Sequence, residues 1–429
     1  MSKTKTPKPA FTSYEVFIVA ILAILQFTII LDFMVMSPLG AIMMPQLQIK
    51  PSQFGWVVSA YAFSAFAAGL LAAGFADKFD RKKLLVFFYT GFVIGTALCG
   101  LATTYKFLLV ARIVTGLFGG VIGSISMAIV TDLFRIEVRG RVMGFVQMAF
   151  GASQVLGIPI GIYLATKYNW HAPFWVIVGF ALVVGVVIMV YMKPVTGHLA
   201  LKNDRNAFVH LYKTASHSPY LVAFLGTTLL ATGGYMLMPF GSAYSVHNLG
   251  VKPAQLTELY LITGIFSFAT GPLVGFLSDK VGKFRMFVIG SLLSIAMVLI
   301  YTRLDVTPLY TLILISVVMF AGIMARMVSS SALISGIPEP QDRGAFMSIN
   351  ASVQQLSGGI AAAIAGMIIS EAPDKKLLHY DRLGYTVSGA MLVCIVLVYF
   401  IDRQVKRKLA SKATPQPVRE EMAEAFVIE

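Results

Sequence analysis

The chain has 429 residues, of which 57% are hydrophobic and 13% are charged, and its mean hydropathy is +0.78. Soluble domains carry about 25% charged residues, and a chain this long and apolar cannot hide its apolar surface in a water-soluble core. The net charge of +14 does not indicate nucleic-acid binding, because the cations cluster in alternate loops and no soluble basic domain is visible. The composition therefore predicts an integral membrane protein.

Twelve apolar segments follow a polar, Lys-rich N-terminal stretch, and each is long enough to cross a bilayer as a helix. The first is interpreted as an uncleaved span, because it is too long for a signal peptide and has no small-residue cleavage site. The predicted spans are Val16–Met43, Gln53–Phe75, Leu84–Thr103, Phe107–Ala128, Val142–Ala165, Ala172–Met192, Pro219–Tyr244, Ala254–Leu277, Phe284–Tyr301, Pro308–Ile334, Ala345–Ile369 and Leu383–Ile401.

These spans divide the chain into four predicted parts: an N-terminal six-helix bundle at 1–192, a cytoplasmic linker at 193–218, a C-terminal six-helix bundle at 219–405 and a cytoplasmic tail at 406–429. Of the 34 Lys and Arg residues, 24 fall on one side of the predicted membrane, 8 on the other and 2 inside spans. The positive-inside rule then places both termini in the cytoplasm. The tail mixes charge with Pro415 and Pro417, so we expect it to fray or to be disordered.

A charged turn after the second span recurs half a chain later. Residues 74–83 are echoed by 275–285 at an offset of 201, and Arg139-Gly140 is echoed by Arg343-Gly344 at an offset of 204. Two separate features that repeat at nearly one period indicate two related halves, a plan that many transporters use.

The first turn resembles the major facilitator signature G-x-x-x-D-(+)-x-G-R-(+)-(+), although Asp80 stands where that family usually has Gly. The matching residues are Gly74, Asp77, Lys78, Arg81, Lys82 and Lys83. The resemblance covers nearly the whole chain and implies an all-α membrane fold of about twelve helices in two pseudo-symmetric six-helix bundles. It also implies that the acid of the turn caps a helix of the other half and that its Arg pairs with an acid ending the fourth span. The residues of this expected inner gate are Gly74, Asp77, Arg81, Asp132, Arg139 and, as a weaker counterpart, Asp279.

Asp32 lies well inside the first span, among apolar neighbours. Ionisable groups at membrane depth are costly and usually functional, and an approaching Arg would change the proton affinity of such a carboxyl. Arg112 lies about one and a half turns from the outer end of the fourth span, and Asp32 lies about three turns from the outer end of the first. A long Arg side chain reaches over about a turn of helix, so the two side chains would meet if these spans are neighbours. Residues 109–116 resemble the second motif of the superfamily, whose Arg is implicated in proton transfer. The alternative is a static pair that only locks helix packing.

The fifth span carries a line of small residues and a proline. They are Gly144, Gly151, Gly157, Pro159 and Gly161. Small residues let a neighbouring helix approach closely, and Pro159 removes a backbone hydrogen bond. The pattern resembles the antiporter motif of the drug-exporter branch, in a G-x-P-x-G form that is similar to bacterial drug- and sugar-efflux members. Ordinary close packing without a coupling role is the alternative.

Polar and aromatic residues within the spans are candidates for the substrate cavity. They are Gln26, Tyr61, Gln147, Gln154, Tyr235, Arg326, Asn350 and Gln354. Most such groups act as contacts between helices rather than as ligands. Arg326 is a lone cation that would bind an anionic substrate group or a carboxylate such as Glu258.

These features predict a non-enzymatic, monomeric transporter of the bacterial inner membrane, without cofactor, metal or nucleic-acid partner. We expect it to export a small organic molecule in exchange for protons. The expected molecule is drug-like, sugar-like or a metabolite. Uptake of a small organic anion, with protons or by facilitated diffusion, is the second hypothesis. A non-transporting receptor or scaffold with the same fold is the third. The sequence does not identify the substrate, its direction or its stoichiometry.

Overall fold

A computed structural model of the chain describes residues 11–200, 207–339 and 342–413. Twelve of its helices are long and apolar enough to cross a membrane, so the protein is a multi-pass membrane protein. Their bounds are α1, Ser13–Leu47; α2, Pro51–Phe75; α3, Arg81–Leu101; α4, Tyr105–Leu133; α5, Ile136–Ala152 and Ile158–Lys167 joined by the π-helical turn Ser153–Gly157; α6, Ala172–Tyr191; α7, Ser218–Leu237 and Gly241–His247 joined by the 3-10 turn Met238–Phe240; α8, Gln255–Val281; α9, Lys283–Tyr301; α10, Leu309–Ile334; α11, Arg343–Ile368; and α12, Tyr380–Ala413.

Shorter elements lie between these helices. They are the 3-10 turns Ala76–Lys78 and Gly197–Ala200, a linker helix at Ala207–Ala215, and the antiparallel strands β1, Ser370–Glu371, and β2, Leu377–Leu378. The two strands were not predicted. They are two residues each, too short for the alternating pattern by which a strand is recognised in a sequence.

All twelve predicted spans are present, which confirms the all-α fold, but several helices are longer than predicted. The helix α1 begins at Ser13 because Thr12 and Glu15 form a capping box. The expected fraying from residue 406 is wrong as far as Ala413, because α12 continues there. Lys406 pairs with Asp402 at 2.6 Å, and the Nζ of Lys408 donates to the carbonyl of Ile337 at 2.7 Å. Residues 414–429 lie outside the described part of the chain, and the four-part division remains a prediction.

Asp80 shows why the turn between α2 and α3 does not need the glycine that its family pattern has there. Its φ is −55°, so the backbone is in a region open to any residue. The carboxylate accepts from the backbone N–H of Lys82 and from that of Val195, both at 2.9 Å. Asp80 therefore caps α3 and attaches the segment after α6 to the turn.

The two halves meet most tightly at the end of the bundle that is opposite the charged turns. There the hydroxyl of Ser59 donates to the carbonyl of Gly359 at 2.7 Å, and Ser242 donates to the carbonyl of Ser37 at 3.1 Å. A Cβ added at Gly55 would lie 2.8 Å from the carbonyl oxygen of Ala362. We call this end, where α1 packs on α7 and α2 on α11, the closed end.

Towards the charged turns the helices that face the other half are less tightly packed. Gly144 on α5, Gly271 and Gly275 on α8, and Gly344 on α11 have no atom within 4 Å of the position that a Cβ would occupy. The close approach of the halves is therefore concentrated at one end, as expected for a molecule that opens at one end at a time.

The closed end depends on the absence of a side chain at Gly55. We expect Gly55→Val to separate α2 from α11 there, because the new Cβ would meet backbone atoms that cannot move away independently. Nitroxide labels on Lys106→Cys and Lys252→Cys, with Cys99 and Cys394 removed, would then show a longer distance component by electron–electron double resonance. Gly179→Val is the matched control, since Gly179 has open space around it. Identical distance distributions in both variants would contradict this account.

Candidate coupling site

A fully buried ion pair joins three helices of the N-terminal half. Asp32 on α1 accepts from the Nη1 of Arg112 on α4 at 2.8 Å and from the hydroxyl of Thr96 on α3 at 3.2 Å. Both members of the pair have 0% exposed side chains. The contact expected from the depth of the two residues is present. The third partner, Thr96, was missed, because a Thr in an apolar span carries no signal of its own.

An aromatic path leads from this pair to the other half of the molecule. The guanidinium carbon of Arg112 lies 4.7 Å from the ring centroid of Tyr61 on α2. The Tyr61 ring lies 5.2 Å from that of Phe33, which lies 5.9 Å from that of Tyr235 on α7. Cation–π and aromatic contacts of this kind are attractive. A displacement of the Arg112 guanidinium would therefore also shift Tyr61 and Phe33, and with them the contact with Tyr235 in the other half. Phe33 was missed because it is one apolar residue among many in α1.

The Arg112 guanidinium has unused hydrogen-bonding capacity. Its Nε and Nη2 atoms are buried and have no hydrogen-bond partner among the described residues. Arginine has five N–H donors in a rigid, planar arrangement. Arg112 can therefore form hydrogen bonds with other groups through the donors that are not bound to Asp32. A group that can re-pair is what a coupling site needs.

Three of the four glycines of α5 that were singled out lie in close contact with another helix. Gly151 faces Phe268 of α8, Gly157 faces Leu31 of α1 and Gly161 faces Val35 of α1, and in each case an added Cβ would be within 2.6 Å of the neighbour. The expected close approach at Gly144 is wrong, since that position is open. Pro159 follows the π-helical turn Ser153–Gly157, and such turns are a common cause of helix kinks.

The charged end of the N-terminal half contains the expected pairing of the turn with α4. The Nε of Arg81 lies 3.0 Å from the carboxylate of Asp132. Arg139 donates to the carbonyls of Phe134 and Thr131 at the end of α4, at 2.9 and 2.5 Å. Cations that bind the last carbonyls of a helix stabilise its C-terminus.

The remaining residues of the expected gate do not extend this cluster. Gly74 and Asp77 lie outside the residues whose side chains the structure describes. Asp279 is exposed and has no hydrogen bond or ion pair within the described ranges. Among the residues whose side chains the structure describes, the contacts expected for the gate are therefore found in the N-terminal half and not at Asp279.

The substrate candidates are dispersed. Tyr61 and Tyr235 flank Phe33, Gln26 has a buried Oε1 without a partner among the described residues, and the Asn350 amide accepts from Thr227 at 2.6 Å. The backbone of Gln154 packs against α8, where a Cβ at Gly264 would lie 2.9 Å from the Gln154 carbonyl oxygen. The side chain of Gln147 is exposed, and that of Gln354 is half-buried.

The expected position of Arg326 at an open cavity is not observed, because the side chain is enclosed within the C-terminal bundle. It is 2% exposed, and Glu258, its suggested partner, is exposed at the end of α8 and forms no ion pair with it. The helix α10 turns Arg326 into the C-terminal bundle because Gly322, one turn earlier, packs tightly against Gly290 of α9.

The sequence profile of the Major Facilitator Superfamily matches residues 22–244 and 223–427. The chain belongs to this superfamily. The match spans both six-helix sets, and it agrees with the fold described above. The protein is therefore a member of a superfamily of transporters.

Relatives in Bacillus subtilis (strain 168) are similar over different lengths. The uncharacterized MFS-type transporter YceJ is 24% identical over 396 residues, which cover 90% of this chain and 97% of that one. Multidrug resistance protein 2 is 23% identical over 75% of this chain and 81% of its own. Multidrug resistance protein 3 is 32% identical over 35% of this chain and 30% of its own.

Two solved structures share the fold. A bacterial homologue of the human lysosomal transporter Spinster, in an inward-facing and occupied conformation, superposes with a TM-score of 0.70 at 16% identity and covers 94% of this chain and 98% of its own. A variant of the nucleoside transporter NupG superposes with a TM-score of 0.71 at 14% identity and covers 90% of this chain and 99% of its own.

The coupling between Asp32 and Arg112 is measurable as a double-mutant cycle. We expect Arg112→Gln to destabilise the protein by about 3–5 kcal/mol, because it leaves Asp32 buried without its cation, and Asp32→Asn to reverse most of that loss in the double variant. Thermal unfolding in detergent reports the differences.

The exposed pair Lys376–Asp374 is the control for this cycle, since both side chains are more than half exposed. Lys376→Gln should change stability by less than about 1 kcal/mol. Additive losses for Asp32 and Arg112 would show that the buried contact is energetically unimportant.

Proposed function

We propose that the protein is a secondary transporter that exports a small organic molecule in exchange for protons by alternating access. The observation that carries this proposal is the buried Asp32–Arg112 pair, with its aromatic connection to the other half. The multidrug resistance relatives support the direction of transport. The drug-like class of substrate rests on the same relatives.

Proton binding at Asp32 would begin the cycle. A neutral carboxyl binds a guanidinium less strongly than a carboxylate does, so protonation weakens the 2.8 Å contact with Arg112. The guanidinium then uses its free Nε and Nη2 elsewhere, and Tyr61 and Phe33 follow it. Because Phe33 contacts Tyr235, the change reaches the interface between the halves.

The packing of the two halves would convert that local change into alternating access. Among the described residues, the closed end is held by van der Waals contact of glycines and by neutral hydrogen bonds from the hydroxyls of Ser37, Ser59 and Ser242, each of modest net strength. The Arg81–Asp132 pair and the Arg139 cap keep the charged end of the N-terminal half rigid. The helix α5 contains the π-helical turn Ser153–Gly157 and contacts α8, and it would serve as the pivot.

The proposal includes the setting of the molecule. It places the protein in the bacterial inner membrane as a monomer with both termini in the cytoplasm. Protons are the proposed coupling ion, and no other cofactor is included.

Uptake of a small organic anion is a second candidate, favoured by the uncompensated charge of Arg326. Membrane vesicles of known orientation separate the two. Export predicts substrate accumulation in inside-out vesicles with an acidic interior, whereas uptake predicts accumulation in right-side-out vesicles under an inward proton gradient.

Export coupled to protons predicts that substrate binding displaces protons from Asp32. Lipophilic cations such as ethidium, added to detergent-purified protein in weak buffer, should release up to about one proton per molecule bound by the wild type. Asp32→Asn should bind them without release, because an amide has no proton to exchange. Release is measured with a pH dye or a glass electrode.

Asp374→Asn is the matched control, since Asp374 is an exposed carboxylate in the loop between β1 and β2. Its proton release should equal that of the wild type. Equal release by Asp32→Asn would remove Asp32 from the coupling mechanism. Binding without release in the wild type would refute proton exchange at this site and favour uniport.

A further inference from the structure

Arg326 is a buried cation of the C-terminal half, and no carboxylate of the described residues pairs with it. Arg326 on α10 is 2% exposed and takes part in no ion pair within the described ranges. Its Nε and Nη2 atoms are buried without a hydrogen-bond partner there. Arginine does not lose its proton in proteins, so the positive charge remains inside the bundle.

Three other helices enclose this guanidinium. Its carbon lies 5.7 Å from the ring centroid of Phe287 on α9, and its side chain contacts the thiol of Cys394 on α12. On the α7 side, Gly233 contributes no side chain, and a Cβ there would be only 3.4 Å from the Arg326 Nη1. These neighbours are apolar or neutral, so none of them offsets the charge.

Unpaired hydroxyl groups accompany the charge on the same helices. Their Oγ atoms are buried and have no partner in the described part of the chain: Ser291 and Ser294 on α9, Ser329 on α10 and Ser388 on α12. Ser329 is three residues after Arg326 and so shares its helix face. The Ser294 hydroxyl is 2.6 Å from where a Cβ would be at Gly322, one turn before Arg326.

The buried hydroxyls and the guanidinium of these helices share one chemical property, which is that all of them can donate hydrogen bonds to an anion. A buried charge is strongly unfavourable without a counter-charge, and buried donors are normally paired. Packing alone would be served better by an apolar side chain. The N-terminal half solves the same problem at Arg112 with Asp32, a carboxylate of the chain itself.

We propose that Arg326, with the serine hydroxyls of α9 and α10, binds a small monovalent anion inside the C-terminal bundle. The anion is either a chloride ion that acts as the missing counter-charge or the carboxylate group of a transported molecule. This site is separate from Asp32 and does not depend on proton exchange there.

Anion titrations of thermal stability test the proposal. Purified protein is exchanged into gluconate buffer free of chloride, and the unfolding temperature is followed by tryptophan fluorescence as chloride is added at constant ionic strength. A ligand that binds only the folded state stabilises it in a saturable way, so we expect a rise of about 2–4 °C. A parallel series uses acetate instead of chloride.

Variants assign the effect to the site. Arg326→Gln should abolish the saturable rise, and Arg326→Lys should weaken it, because an ammonium keeps the charge but lacks the guanidinium fork. The double variant Ser294→Ala/Ser329→Ala should raise the half-saturating concentration while the charge stays in place. Arg382→Gln, at an exposed arginine of α12, should behave like the wild type.

The outcomes separate the two sources of the anion. Saturation by chloride supports a resident counter-ion, whereas saturation by acetate without an effect of chloride supports a carboxylate of the transported molecule. The titrations follow unfolding and not proton release, so a failure of the export mechanism at Asp32 would leave this result unchanged. No saturable response to either anion, or equal responses in wild type and Arg326→Gln, would overturn the proposal.

Discussion

The interior of the N-terminal half is organised by the need to keep Asp32 and Arg112 together. Neither charge is exposed, and the attraction between charges at 2.8 Å is much stronger in an apolar interior than in water. A shift that separated α1 from α4 would leave a carboxylate and a guanidinium in an apolar core, which costs several kcal/mol. The half therefore moves as a unit for as long as Asp32 is ionised.

This constraint sets the difference between contacts within a half and contacts across the interface. Within the N-terminal half the helices are tied by ion pairs such as Arg81–Asp132, whose Arg is mostly buried. Across the interface they are tied by Ser59 with Gly359 and by glycines against backbone, with no charged group at those positions. Neutral hydrogen bonds and shape contacts have small net free energies and are replaced without stranding a charge. The chain thus combines an N-terminal half that is tied by buried charges with an interface whose contacts can separate without leaving a charge unpaired.

The parts of the fold and site that could be predicted from the sequence are those with a large local signal. Apolar length gives the spans, and a single ionic residue in such a span stands out, as Asp32 and Arg112 do. The charged turn gave the pairing of Arg81 with Asp132 through its resemblance to the family. Thr96 and Phe33 could not be found, because their role comes from which helices are neighbours rather than from their own chemistry. Gly144 failed for the opposite reason: a glycine shows where another helix can approach, not whether one does.

The position of Arg326 shows what can and cannot be inferred from the depth of a charged residue within a membrane span. Depth predicted a cation of functional interest, but it could not say whether the side chain faces the interface or the interior of its own bundle. That choice is decided by the packing of Gly322 against Gly290, which brings α9 and α10 together and turns Arg326 towards α7 and α12. The two halves then differ in a physical sense. One carries its own counter-charge at Asp32, so its charge state depends on protons, and the other contains a permanent cation that protons cannot neutralise. Two such centres in one molecule would respond to different ions, and the pseudo-symmetry of the fold does not extend to their chemistry.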